Sequence, residues 1–132
     1  MKISADTNVL LHAAFPEDPV QTAVAAEALQ SAEVVAICTT CLAEFVWVMS
    51  RSYRRQGQEI AGALRTLIAD SKVVVDRPAV EAGLAALDAG GDFADGVIAF
   101  EGRRMGGDVF VSFDRDAVKH LESIGAPATL LR

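Results

Sequence analysis

Basic residues are scarce in this chain of 132 residues: 12 Lys and Arg stand against 18 Asp and Glu, a formal net charge of −6 at pH 7. Such a balance gives no overall positive field to draw in a polyanion, which weighs against a passive DNA- or RNA-binding module. It does not exclude a nuclease whose acids hold cations, because a bound metal reverses the local sign. Cysteine is scarce as well. Cys38 and Cys41 form C-T-T-C, a spacing shared by redox pairs and by halves of zinc sites, but no second pair exists and His12 and His120 lie far off in sequence. The simpler reading is two small apolar residues at a strand-to-helix turn. Long apolar runs are missing too. No stretch without charge is longer than Val34 to Ala43, which covers only half of the roughly 20 residues that a membrane-spanning helix needs. Asp6 interrupts the N-terminal stretch before any signal-peptide h-region forms, so a cytoplasmic protein without a membrane segment is expected.

A hydrophobic content of 52% supplies an ordinary core, and the length suits a single domain spanning residues 1–132. Short, mostly β-branched runs at 3–5, 34–37, 73–75, 109–111 and 129–131 read as buried parallel strands. Helical stretches lie between them. Asp18-Pro19-Val20-Gln21 combines a capping acid, a proline at the first helical position and a Gln at N3, predicting a helix to about 29. Thr39 or Thr40 is expected to cap the next helix, whose segment Leu42 to Met49 reads as apolar nearly all round and buried. Further helices are predicted at 58–69, 79–89, 93–105 and 115–123. The alternation argues for an α/β fold in three layers, with a mainly parallel central sheet flanked by helices. Ligands of such sheets bind beyond the carboxyl ends of the strands.

Acids cluster in that region of the pattern. Asp6 follows the first strand, Glu44 lies early in the helix entered from the second, Asp92 and Asp95 begin another helix, and Asp114 and Asp116 follow the fourth strand. Each has a bland reading: Asp6, Asp92 and Asp114 as helix caps, Asp116 as a first-turn acid, Glu44 as a salt-bridging or dipole-facing residue. Glu44 is expected to be buried and therefore to need compensation. Taken together, acids at one end of a parallel sheet repel one another, by up to about 4 kcal/mol per close pair at an effective dielectric near 20, and a cation removes that cost. All-oxygen donors favour Mg²⁺ or Mn²⁺, and phosphodiester hydrolysis is chemistry such ions support.

The set Asp6-Thr7-Asn8-Val9-Leu10, Glu44, Asp92-Phe93-Ala94-Asp95-Gly96-Val97-Ile98-Ala99 and Ser112-Phe113-Asp114-Arg115 resembles the PIN-domain ribonucleases, and within them the VapC-type toxins of bacterial toxin–antitoxin pairs. The resemblance covers essentially the whole chain. It implies an endoribonuclease with an acidic pocket of Asp6, Glu44, Asp95 and Asp114 that binds Mg²⁺ or Mn²⁺. Asp92 and Asp116 would be outlying acids, with Thr7, Asn8 and Ser112 as supporting polar groups. It further implies an RNA substrate, a small antitoxin partner that places a cation, an arginine above all, into the pocket, and a homodimer. Apolar residues on Phe45 to Met49 and Ala61 to Ile68 are a candidate dimer face. A PIN-like module that binds RNA or protein without cutting is the competing reading. A receiver-type signalling domain fits less well, since Asp6 has no adjacent acid and no lysine lies beyond Lys119; a haloacid-dehalogenase-type phosphatase would need an Asp where Asn8 stands. Arg51, Arg54 and Arg55, with Arg103 and Arg104, are either solvated helix ends or a phosphate-tracking rim.

Overall fold

The computed structural model describes all residues, Met1–Arg132. Strands and helices alternate as β1 (Lys2–Ser4), α1 (Thr7–Ala14), α2 (Pro19–Ser31), β2 (Val34–Ala36), α3 (Thr39–Arg51), α4 (Gly57–Ala69), β3 (Val73–Val74), α5 (Arg77–Asp88), α6 (Phe93–Arg104), β4 (Phe110–Ser112), α7 (Arg115–Ser123) and β5 (Ala128–Leu130). Every strand pairing is parallel, the geometry that helical crossovers enforce, so the α/β class is as expected. The strands form two hydrogen-bonded sets, β1-β2-β3 and β4-β5. Two compact units contain them: Met1–Arg55 with Gly62–Val75, and Gln56–Ala61 with Asp76–Arg132. No helix is long and apolar enough to cross a membrane.

In the first unit Lys2 lies opposite Val34 and Val35 opposite Val73, which makes β2 the central strand. Val35 and the neighbouring Ile37 are accordingly buried. Because β1 and β2 run the same way, their carboxyl ends share one sheet edge, and there the chain turns into α1 and α3. Asp6, in extended conformation, caps α1 by accepting from the Thr7 amide at 2.7 Å. The cap of α3 is Cys38, which makes no side-chain capping bond, and not Thr39 or Thr40. Extended backbone persists from β2 only as far as Cys38, so Thr39 is already helical.

α3 is amphipathic rather than apolar all round. Cys41, Leu42, Phe45, Val46 and Met49 form its buried face, while Glu44 and Arg51 are exposed and Trp47 is 58% exposed. The expectation of a buried Glu44 is thereby corrected: the helical period turns it away from the apolar stripe. The same burial corrects the candidate dimer face. Phe45, Val46 and Met49 are core residues, as are Ala61, Leu64 and Ile68 of α4, which leaves Trp47 as the large exposed apolar side chain of that candidate face.

In the second unit Phe110 pairs with Ala128, and buried Ala86, Ala99 and Leu121 pack with Phe110, Ala126 and Ala128. α5 and α6 approach closely because Gly83 and Gly96 carry no side chain. A Cβ on Gly83 would sit 2.5 Å from the fully buried Phe93 ring, and one on Gly96 would sit 2.5 Å from the Ala82 carbonyl oxygen. α7 ends in a Schellman turn: Gly125, at φ 83°, donates to Glu122, and Ala126 donates to Leu121. This closure feeds the chain directly into β5.

Candidate functional site

The first unit holds Asp6, Thr7, Asn8 and Glu44 at the carboxyl ends of β1 and β2. Thr7 is the buried pivot. Its hydroxyl donates to Glu44 Oε2 at 3.1 Å while its amide donates to Asp6 Oδ1, so one residue orients both carboxylates. Cys41 Sγ lies 3.5 Å from the same hydroxyl; with a single proton to give, the hydroxyl favours the charged acceptor. Burial pushes the Cys41 thiol up, opposed by Thr7 and reinforced by the charges of Cys38, Asp6 and Glu44. Asp6, Asn8 and Glu44 themselves are exposed, and the hydrogen bonds of the two acids run through Asp6 Oδ1 and Glu44 Oε2, leaving Asp6 Oδ2 and Glu44 Oε1 uncommitted. Asn8 takes no part in this hydrogen-bonded group.

The second unit holds Asp92, Asp95 and Asp114, with Asp95 feeling the charge of the other two. Asp92 caps α6 through the Ala94 amide at 3.1 Å, and Asp95 sits in the first turn of the same helix, half-buried. Burial first, then the charges of Asp92 and Asp114, hold the Asp95 carboxyl above the usual carboxylate range, with His120 pulling the other way. Asp114 caps α7: its Oδ1 accepts from the Asp116 amide at 2.9 Å and the Ala117 amide at 3.2 Å. Ser112 Oγ accepts from the Asp114 amide at 2.9 Å, fixing the turn out of β4. Asp116 is exposed, and its backbone, not its carboxylate, enters this arrangement.

The capping readings of Asp6, Asp92 and Asp114 therefore hold, and they are compatible with ligation. In each, Oδ1 takes the amide and Oδ2 is left over. Two participants escape a reading of the sequence. His120, on α7, reaches the charge of Asp95 only through tertiary packing that sets the loop at Gly91 against its ring: a Cβ there would lie 2.9 Å from His120 Cβ. Gly83 is the other, since a glycine within a helix does not announce which neighbour it admits.

The PIN domain profile matches residues 3–122, a span that includes all of these acids and runs through both units. The chain belongs to the PIN-domain family. No curated protein matches it significantly. PIN domains are in general nuclease modules that use Mg²⁺ or Mn²⁺. The donor chemistry of this PIN domain fits such an ion. Its candidate ligands are hard carboxylate oxygens, and the acids around Asp95 carry a mutual repulsion that a cation relieves. Within neither unit do three or more His, Cys, Asp or Glu side chains form a ready-made ion cage.

Proposed function

We propose that this PIN domain is a single-domain, Mg²⁺- or Mn²⁺-dependent endoribonuclease whose ion-holding groups are Asp6, Glu44, Asp95 and Asp114. The observation that carries this reading is the placement of the acids: within both units they stand near the carboxyl ends of parallel strands or at the helix starts beside them, where α/β folds put their ligands. A bound divalent ion would supply a water of lowered pKa and charge neutralisation at the cleaved phosphate. Thr7 holds Asp6 and Glu44 in fixed orientation through its amide and hydroxyl. Ser112 and the first-turn amides of α7 do the same for Asp114. Asp92 supports Asp95 by capping its helix, and Asp116 is peripheral.

The test is Asp6→Asn, which retains shape and removes charge. Wild-type cleavage of single-stranded RNA with Mn²⁺ should vanish with chelator and fall by orders of magnitude in the variant. Equal cleavage by the two proteins would overturn the assignment and leave a non-cutting PIN module.

The toxin role follows from the motif resemblance. A small antitoxin carrying an arginine would pair with these carboxylates in place of metal, and the net charge of −6 favours a basic partner segment. Titrating Mn²⁺ against the co-purified complex tests this, since unchanged metal affinity would exclude such blocking. A homodimer is the expected assembly, and sedimentation of the isolated chain decides it.

A further inference from the structure

We propose that the stacked rings of Phe15 and Tyr53, bordered by Arg51, Arg54 and Arg55, form a subsite that stacks a base of single-stranded RNA. The proposal rests on the nuclease reading above and names where part of its substrate would be gripped. The two rings lie face to face, with centroids 3.8 Å apart and planes within 9°. Phe15 closes α1 by donating its amide to Leu11, and Tyr53 follows α3 with its amide on Val48. The Arg55 guanidinium stands 5.4 Å from the centroid of Phe15. Tyr53 is partly exposed, and since Phe15 covers one of its faces, a stacked base would use the other.

The charge around the rings suits a phosphate chain. Arg51, Arg54 and Arg55 are exposed and place three cations within one short segment of an otherwise acidic protein. Arg54 has φ 52°, a left-handed conformation that residues other than glycine rarely adopt. The turn it makes lets Arg55 donate its amide back to Met49. Glu17 is the acid facing the rings: after burial, its charge and its hydrogen bond with the Tyr53 hydroxyl raise the phenol above its ordinary range. Phosphates for the guanidiniums and a flat π surface for the ring are the two chemistries that single-stranded nucleic acid offers together. An acidic peptide would satisfy only the first.

Position links this subsite to the acids. α1 and α3 are packed side by side, their N-terminal turns are joined through Thr7 and Glu44, and Phe15 and Tyr53 lie at their other ends. The 8 residues of α1 span about 12 Å, a distance within the reach of the roughly four nucleotides that the smallest single-strand sites cover. A base held on Tyr53 would therefore fix the register of the strand relative to Asp6 and Glu44.

Tyr53 is the sole tyrosine, so 3-fluorotyrosine incorporation gives one ¹⁹F line reporting on this ring alone. The probe is a single-stranded oligoribonucleotide of about ten nucleotides, titrated in chelator, with binding also read by fluorescence anisotropy. The expected result is a shifted line, an affinity roughly 5- to 100-fold weaker in Tyr53→Ala, and near wild-type affinity in Tyr53→Phe. Arg54→Ala should weaken binding and lower the salt slope by about one. An abasic oligonucleotide and a poly-glutamate peptide should leave the line in place. An unmoved line, unaltered affinity in Tyr53→Ala, or an equal response to the acidic peptide overturns the subsite. If the wild type still cuts RNA in Mn²⁺ under those outcomes, the nuclease reading survives. A shifted line without any cleavage instead upholds the stacking subsite and overturns the nuclease reading.

Discussion

Thr7 donates its hydroxyl to Glu44 at 3.1 Å, a bond between residues 37 positions apart that ties the start of α1 to the second turn of α3. Thr7→Val retains the shape and removes the donor. Glu44 would then keep its charge but lose its orientation, so half-maximal cleavage should require about tenfold more Mn²⁺, with Thr7→Ser close to wild type. A metal dependence identical in Thr7→Val and wild type would show that Glu44 does not need this bond.

Asp92 separates capping from charge. Asp92→Ala removes the acceptor for the Ala94 amide and should destabilise the protein by about 1 kcal/mol in urea unfolding. Asp92→Asn keeps a good cap and should cost only a small part of that. Asp116→Ala, which deletes an exposed carboxylate, should leave both unfolding and cleavage near wild type.

Three glycines give opposite signs on neighbouring helices. Gly96→Ala drives a methyl group against the Ala82 carbonyl oxygen, and Gly83→Ala drives one into the Phe93 ring. Each should destabilise by about 1–3 kcal/mol, Gly96 the more because backbone cannot swing aside. Gly102→Ala, also in α6 but with open space where the Cβ would go, should stabilise by about 0.5 kcal/mol. Thermal unfolding of the three variants checks the ordering.

Acid should expose the pairing of Asp76 with Arg104, whose guanidinium donates to both carboxylate oxygens at 2.6 and 3.0 Å. Those bonds, with the Ala79 amide, hold the Asp76 carboxyl below its usual range. A lowered carboxyl contributes stability that is full above its unfolded value and is lost as pH falls through the folded one. The difference between wild type and Asp76→Asn should be constant from neutral pH to about 5 and shrink below about 4. A gap that widens in acid would contradict the assignment.

The two thiols should differ sharply. Cys38 is exposed and Cys41 is buried with its thiol pushed up, so a disulfide reagent at neutral pH should modify Cys38 quickly and Cys41 only after unfolding. Equal rates in the native protein would mean that the Thr7–Cys41 region opens readily.

Much of this architecture is legible in the sequence because local rules and tertiary structure agree. Asp18 before Pro19, Asp92 before the apolar start of α6, and Asp114 after a β-branched run each cap the helix that the pattern predicts. The β-branched runs fall within about one residue of the observed strands, the usual margin for such boundaries. Glu44 defeats a compositional reading for a physical reason. The run around it looks uniformly apolar, yet Leu42, Phe45, Val46 and Met49 share one helical face and leave Glu44 with Trp47 on the other. The company of Asp95 is illegible in part, because the influence of His120 depends on a close approach at Gly91 that no spacing encodes.

The strand registers also set an order of assembly. Phe110 meets Ala128 across the single crossover through α7, whereas Lys2 meets Val34 and Val35 meets Val73 across much longer intervals. Closing the shorter loop costs about 0.5 kcal/mol less entropy than closing the β1–β2 loop, and contacts close in sequence form faster. The turn that seats Asp114 thus belongs to a small local nucleus that can form early. The edge bearing Asp6 and Glu44 joins segments farther apart in sequence, so folding is expected to seat Asp114 before Asp6 and Glu44.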